Sequence, residues 1–412
     1  MADLDDAPGE ARQLRGPREA FRVASSRNFG PYFLGNALSA SGGWFQNLAG
    51  ALLVYRLTHS PFLLGVLNFA QFIPVLLLAP WAGNLADRHD RKRLLLVTQG
   101  SAVVLSATLA ALAFAGAVNE WVVIGFALGL GVTTGFAVPA QQALVTSLVP
   151  ARDLGSAIAL NSMTFNIARA LGPALAAGAI AVFGIPTAFL INTFSYLLFV
   201  AGLLLVHPRP QRRAEHARLR DSIALLRRQT RLIWLLLVVM ASGFASDPIN
   251  TLAPAFAREF GHPDTFAGLI IGLFGAGAVS AALFFAGRAG SPRVTAATLG
   301  LLAGGIVAFS LSPSLAVAVP FLVAAGFGYL ASNARATTQL QLEVDETQRG
   351  RIMALWSVAF LGLRPFASLV DGAIAAAFGV RVAGVVLALP AAALAVAIAL
   401  RVRRRSLAAA AS

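Results

Sequence analysis

Read with a window of about 20 residues, the chain alternates long apolar runs with short polar breaks that carry arginine. Twelve apolar runs are predicted to be membrane-crossing helices: Phe29–Tyr55, Phe62–Ala86, Leu94–Ala115, Trp121–Val138, Gly155–Phe183, Ile185–Val206, Leu232–Ala257, Phe266–Ala286, Val294–Ser310, Leu315–Asn333, Ile352–Phe378 and Val382–Leu400. The polar stretches then divide the chain into a segment 1–28, a six-helix bundle 29–206, a linker 207–231, a second six-helix bundle 232–400 and a tail 401–412. In the linker, Leu219, Ile223 and Leu226 beside Arg220, Arg227 and Arg228 predict an amphipathic helix lying on the membrane surface. Because an even number of spans precedes that linker, the bundles share one orientation, as a parallel repeat requires. The expected fold class is an all-α membrane protein of twelve transmembrane helices in two parallel six-helix repeats.

The repeat is visible in the residues themselves. Gly155, Ala159, Leu160, Ser162, Phe165, Arg169, Ala181, Phe183 and Gly184 recur as Gly350, Ala354, Leu355, Ser357, Phe360, Arg364, Ala376, Phe378 and Gly379, each pair 195 residues apart. Arg169 and Arg364 each follow, by 14 residues, a glycine that opens an apolar run, so each lies roughly 21 Å along its helix, inside a hydrocarbon layer of about 30 Å. An arginine at that depth costs about 3 kcal/mol or more unless it faces protein, a partner or water. Two of them imply an interior polar cavity between the halves.

Composition agrees: 57% of residues are hydrophobic and 12% are charged, against about 25% charged in soluble proteins. The formal net charge of +14 would suit nucleic acid, but Lys92 is the only lysine and the arginines fall in short clusters between apolar runs. That is a topology signal, and no nucleic-acid partner is expected. A cytoplasmic N-terminus places 26 of the 32 basic residues on one side and leaves only Arg56, Arg258 and Arg381 on the other, with Arg169, Arg335 and Arg364 inside spans. The expected location is the bacterial cytoplasmic (inner) membrane with both termini inside. The polar first 28 residues predict no signal peptide. Cysteine is absent, which removes thiolate metal sites and thiol nucleophiles. With one lysine there is no phosphate-binding Gly-x-x-x-x-Gly-Lys loop, so an ATP motor within the chain is excluded. No span carries a nucleophile with a base, paired carboxylates or a metal cluster, so neither an enzyme nor a cofactor or metal is expected.

The loop between the second and third spans reads Gly83-Asn84-Leu85-Ala86-Asp87-Arg88-His89-Asp90-Arg91-Lys92 and resembles the signature loop of the major facilitator superfamily. The glycine would permit close helix contact, Asp87 would face the positive end of a neighbouring helix, and Arg91 and Lys92 would anchor the loop at anionic headgroups. The resemblance implies that Asp87 latches against the helix opening at Gly350 and Arg351. A plain inside-anchoring basic loop is the simpler reading. In the fifth span, Arg169-Ala170-Leu171-Gly172-Pro173 with Gly178 is similar to the glycine-proline motif of superfamily antiporters, although Gly and Pro also merely kink membrane helices. Ser60-Pro61 with Leu64-Gly65, Ile73-Pro74, Val149-Pro150 with Asp153, and Arg349-Gly350-Arg351-Ile352-Met353-Ala354-Leu355 resemble the branch that holds the enterobactin exporter and macrolide efflux proteins, the transmembrane secretion effectors, over roughly residues 29 to 400. The chain departs from that pattern at Gly43, where many relatives carry an acid, at Asp90, which replaces a second glycine, and in the second-half loop from Gly287 to Arg293, which has no acid.

Asp247 and Asp371 are the acids within spans and so the coupling candidates. Asp247 precedes Pro248, where a helix break would expose carbonyls to a cavity; the plainer role is a cap at such a break near the outer surface. Asp371 shares a helix face with Arg364 at about 10 Å, too far for direct pairing, and a structural role near the outer interface suits it better. Candidates to line the cavity are Gln46, Asn47, Asn166, Asn250 and Asn333 together with Arg169 and Arg364; the plainer role for each amide is a hydrogen bond between helices. Trp44, Phe165, Phe244 and Phe360 could supply apolar wall. The expectation is a monomeric secondary transporter in the lipid bilayer that exports a small amphipathic or hydrophobic substrate (drug, siderophore or secondary metabolite) in exchange for protons by alternating access. Proton-coupled uptake, and less readily a non-transporting scaffold, stay open.

Overall fold

A computed structural model describes residues 17–209, 230–285, 291–344, 352–353 and 355–411. The described residues form helices and turns with no strand. A short helix α1 (Pro17–Ala24) precedes α2 (Gly30–Thr58), α3 (Pro61–Arg88), α4 (Arg91–Phe114), α5 (Glu120–Leu148), α6 (Leu154–Phe183) and α7 (Ile185–Leu205). The second half holds α8 (Thr230–Thr251), the short α9 (Ala253–Glu259), α10 (Ala267–Phe285), α11 (Pro292–Leu311), α12 (Leu315–Leu342), a π-helical turn at Val358–Gly362 leading into α13 (Arg364–Phe378), and α14 (Val380–Ala411). Eleven of these stretches are long and apolar enough to cross a bilayer. The remaining long helix, α2, is 29 residues long but falls outside that set, since Asn36, Gln46 and Asn47 dilute its apolar run. The twelve expected spans are thus twelve long helical segments of unequal apolarity.

Local chemistry sets the helix ends. Ser60 caps α3 by accepting from the Leu63 amide, Asn119 caps α5 through the Val122 amide, and Ser291 caps α11 through the Val294 amide. Pro61 and Pro292 follow their caps at the first helical position, where no amide is missed. Gly184 and Gly379, repeat partners, carry φ of +84° and +92° and turn the chain from α6 into α7 and from α13 into α14. A side chain at either would be strained.

Five segments run differently from the sequence pattern, among them α12, which continues nine residues past the expected Asn333 to Leu342. α5 continues through Pro139 to Leu148, ten residues past the expected Val138, because the proline removes one hydrogen bond and neighbouring turns hold the helix. α8 likewise passes through Pro248, and the break comes later, after Thr251. α14 runs past the expected end at Leu400 to Ala411, since the tail is mostly alanine and arginine, both good helix formers. Part of the polar N-terminal segment is ordered: α1 buries Val23, and Arg22 forks onto Asp153 at 2.6 and 3.2 Å. The predicted amphipathic linker helix lies outside the described residues.

One end of the molecule carries α1, the last turns of α14 and most of the described arginines; it is called the basic end, and its opposite the distal end. The helices pack through two hydrophobic clusters, and the larger includes residues of both halves, from Leu48 in α2 to Ala395 in α14. The close approaches between halves use small residues. A Cβ on Gly65 of α3 would collide with the Ser368 carbonyl of α13, and one on Gly372 would stand 2.9 Å from the Pro61 carbonyl. A Cβ on Gly268 of α10 would collide with Ala177 of α6, and one on Gly275 would stand 2.7 Å from the Ala170 Cα. Backbones that close leave room for dispersion contacts where the hydrophobic effect cannot drive helices together. At the distal end Arg56 of α2 grips Asp264 of the other half with two bonds of 2.6 and 2.9 Å, the carboxylate being almost fully buried.

Candidate functional site

The two repeat arginines lie where the halves meet, and each reaches across. Arg169 of α6 donates from Nη1 to the Tyr329 hydroxyl of α12 at 3.1 Å and stacks over the same ring at 4.6 Å. Arg364, at the start of α13, stacks over Phe72 of α3 at 4.4 Å, and its Nε lies 3.9 Å from Asp247 Oδ1 of α8. Asp247 also accepts from the Thr251 hydroxyl at 2.9 Å, and Thr251 reaches Ser368 Oγ at 3.3 Å. A guanidinium over an aromatic face keeps part of its electrostatic stabilisation after losing water. Such contacts, together with the carboxylate, are what allow these two arginines to lie at this depth. Both line one narrow cleft with Asn250, Tyr329, Phe244 and Phe360, with about 20 Å³ of free space, room for roughly one water.

Towards the basic end a larger cleft of about 380 Å³ opens within the first half. Its wall is rich in uncharged hydrogen-bonding groups: Asn36, Gln99, Gln141, Gln142 and Asn161 with Tyr196. Asn36 and Asn161 approach at 3.5 Å, and the Gln99 carbonyl oxygen is buried with no hydrogen-bond partner among the described residues. Asn161, Phe165 and Arg169 recur every four residues along α6, so one helix face joins this amide-lined cleft to the arginine cleft. None of these amides is among the expected cavity residues, and the expected fourth span stops at Val138, short of Gln141 and Gln142; the Gln141-Gln142 pair and the Asn161–Arg169 spacing are the signals that could have marked this wall. Tyr329 and Phe72, which the arginines need, carry no such signal.

Several expected site residues do other work. Gln46 is buried and accepts from Ser106 at 3.1 Å and Asn192 at 3.2 Å, tying α2 to α4 and α7. Asn47 accepts from Gln71 of α3 at 2.8 Å, and Asn333 donates to Ser242 of α8 at 3.3 Å. Each of these three ties helices together. Asn250 does line the arginine cleft, although its amide donates to the Ser246 carbonyl of its own helix at 2.8 Å. Asn166 falls in α6, but its side chain lies outside the described positions. Asp247 caps no helix break; it is buried inside α8 and faces Arg364. Asp371 is fully buried, and neither carboxyl oxygen has a hydrogen-bond partner among the described residues.

The signature loop is also built differently from expectation. Among the described residues a Cβ on Gly83 would meet nothing within 4 Å. Arg91 donates to the Ala143 carbonyl of α5 at 3.2 Å, and Lys92 donates to the Leu204 and Val206 carbonyls at 3.0 and 2.8 Å. These cations close the carbonyl ends of α5 and α7, where the helix dipole favours positive charge. Asp90 caps α4 by accepting from the Lys92 and Arg93 amides at 2.9 and 3.2 Å, which accounts for an acid where the loop pattern has glycine. Arg88 is exposed. Gly350 and Arg351, with the side chain of Asp87, lie outside the described residues. In the fifth-span motif, a Cβ on Gly172 would stand 2.7 Å from Trp44, and the Pro173 carbonyl backs onto Gly268, whereas a Cβ on Gly178 would meet nothing within 4 Å among the described residues.

A family model described as transmembrane secretion effector matches residues 21–412. The chain is 26% identical to the staphyloferrin A transporter of Staphylococcus aureus, over 85% of this chain and 90% of that one. It is 27% identical to the enterobactin exporter EntS of Shigella boydii, over 88% and 91%. It is 25% identical to macrolide efflux protein A of Streptococcus pyogenes, over 58% and 65%. Among solved structures, a variant of the nucleoside transporter NupG superposes with a TM-score of 0.73 at 14% identity, covering 91% of this chain and 99% of that one. An inward-facing bacterial homologue of the human lysosomal transporter Spinster superposes with a TM-score of 0.70 at 14% identity, covering 93% and 97%.

Proposed function

Since the chain belongs to the transmembrane secretion effectors of the major facilitator superfamily, we propose that it exports a small amphipathic compound bearing an anionic group, in exchange for protons, from a basic end that faces the cytoplasm. The observation that carries this reading is the pair of arginines reaching across the contact between halves, Arg169 to Tyr329 and Arg364 to Phe72. Rocking of one half against the other must part both stacks, and an anionic substrate group is the partner that would take the guanidinium groups over. The amide-lined cleft suits the neutral, hydrogen-bonding part of the same compound.

Exchange follows from the Asp247–Arg364 pair. With the basic end open, Asp247 gives its proton to that side and, as a carboxylate beside Arg364, accepts a hydrogen bond from the substrate's neutral part while Arg169 holds its anion. With the other side open, a proton taken up by Asp247 removes that acceptor and displaces the substrate, and the protonated protein returns, so proton and substrate cross in opposite directions. Closure at the distal end rests on the Arg56–Asp264 pair and the glycine seams, which supports a resting state open towards the basic end. The test is proton release from everted membrane vesicles on addition of hydroxycarboxylate and catecholate siderophores or macrolides. Compound-dependent proton movement is expected, with Asp247→Asn removing its pH dependence. Transport in the same direction as the proton would replace export by uptake, and pH-independent transport in the unaltered protein would remove proton exchange.

A further inference from the structure

At the basic end the last helix stands between two apolar grooves that the transport reading does not use. The groove between α8 and α14 has a volume of about 460 Å³ and runs from Trp234 and Ala397 down to Phe244 and Pro390. That between α11 and α14, about 580 Å³, is walled by alanine and valine and rimmed by Arg293 and Arg403. A hollow of about 350 Å³ joins their upper ends, rimmed by Arg231 and Arg401. The Arg401 guanidinium lies over the Trp234 ring at 3.8 Å from its centre, and that ring lines the hollow. Among the described residues no aspartate or glutamate lines any of the three, although Arg231 is held by Glu343 at 2.9 Å just outside.

We propose that these grooves form one binding site for an anionic phospholipid of the leaflet at the basic end, with its phosphate between Arg401 and Arg293 and its acyl chains on either side of α14. Length supports the assignment. From Arg401 to Pro390 is eleven residues, or about 16 Å of helix, half of a hydrocarbon layer of about 30 Å and so the reach of one acyl chain. Charge selects the headgroup, because a rim of arginines without a lining acid attracts phosphate and repels the ammonium of a zwitterionic lipid. The deep end of the α8 groove is walled by Met240 and Phe244, which also line the Arg169–Arg364 cleft. A seated acyl chain therefore touches the helix that carries Asp247.

Native mass spectrometry of the full chain, delipidated in detergent and titrated with dioleoyl phosphatidylglycerol or dioleoyl phosphatidylcholine, tests this. Phosphatidylglycerol is expected to be retained and phosphatidylcholine not. Arg401→Gln and Arg293→Gln should each weaken retention about fivefold, while Arg401→Lys should largely preserve it. Ala397→Trp leaves every arginine in place and fills the groove, so it should also lower retention; circular dichroism and a single symmetric elution peak establish that each variant is folded. Equal binding of the two lipids, unchanged binding by Arg293→Gln, or full retention by Ala397→Trp would overturn the site, the last by showing surface charge attraction without a slot.

Discussion

Arg169 and Arg364 occupy equivalent places in a duplicated sequence, yet their surroundings differ in kind. Arg169 sits within an unbroken 30-residue helix and is held by one aromatic residue, Tyr329, with no carboxylate in an ion pair with it among the described residues. Arg364 comes directly after a π-helical turn and is held by Phe72 and by the buried Asp247. An extra residue in a helical turn re-aims the side chains beyond it and is frequent at functional sites. Under the proposed exchange, the first repeat keeps a standing cation for the substrate, whereas the second keeps a cation beside the carboxylate that carries the proton. Duplication supplied two arginines, and the partner helices give them different surroundings.

The largest effect expected on this contrast comes from the seams beside each arginine. A Cβ on Gly65 would strike the backbone carbonyl of Ser368 in the α13 seam, and backbone cannot step aside, whereas one on Gly272 in the α10 seam would meet Ala174 at an ordinary 3.4 Å. Gly65→Leu should abolish transport in vesicles with the protein still inserted, and Gly272→Ala should transport near the normal rate; equal tolerance at both would show that the close approach of Gly65 to Ser368 is not needed. Next in size is removal of the arginines. Arg364→Gln strands a buried carboxylate and should destabilise the protein by about 3–5 kcal/mol, while Arg169→Gln forfeits about 0.5–2 kcal/mol of stacking. Denaturation midpoints in detergent give the order, and a larger loss at Arg169 would reverse the proposed roles.

The smallest effect lies outside the membrane and serves as the control for both. The hydrogen-bonded Arg22 guanidinium holds the Asp153 carboxyl below the usual 3.8. Its contribution is therefore complete above that value and drains away as the pH falls through the lowered one. Arg22 is more than half exposed, so solvent screening keeps the effect small. Comparing the thermal midpoint at pH 7 and pH 3, the unaltered protein should lose slightly more than Asp153→Asn; an identical loss would show that the clamp on α1 adds nothing.

Much of this architecture could be read from the chain because the bilayer imposes a strong periodic demand. The helix turns at Gly184 and Gly379, the interfacial placement of Arg169 and Arg364 and the family itself were all legible in repeated or clustered residues. The partners were not. Nothing local separates Phe72 from the other 27 phenylalanines or marks Gln46 as a tie to Ser106 and Asn192, because those contacts depend on how helices far apart in sequence pack. The proline rule misplaced the ends of α5 and α8, since neighbouring helices support a turn that would fray in water. Arg91 and Lys92 were read as lipid anchors because headgroups and helix-terminal carbonyls attract the same charge, and only the fold brings Ala143 and Leu204 within reach.

The division of roles between the two arginines is tested most directly by a pair of double-mutant cycles on transport rate, one combining Asp247→Asn with Arg364→Gln and the other combining Asp247→Asn with Arg169→Gln. Contacting residues show interaction energies of about 0.5–3 kcal/mol and independent ones add within about 0.5. A coupling of at least about 1 kcal/mol between Asp247 and Arg364, beside near-additivity between Asp247 and Arg169, is the predicted result. Equal coupling in both cycles, or none in either, would contradict it.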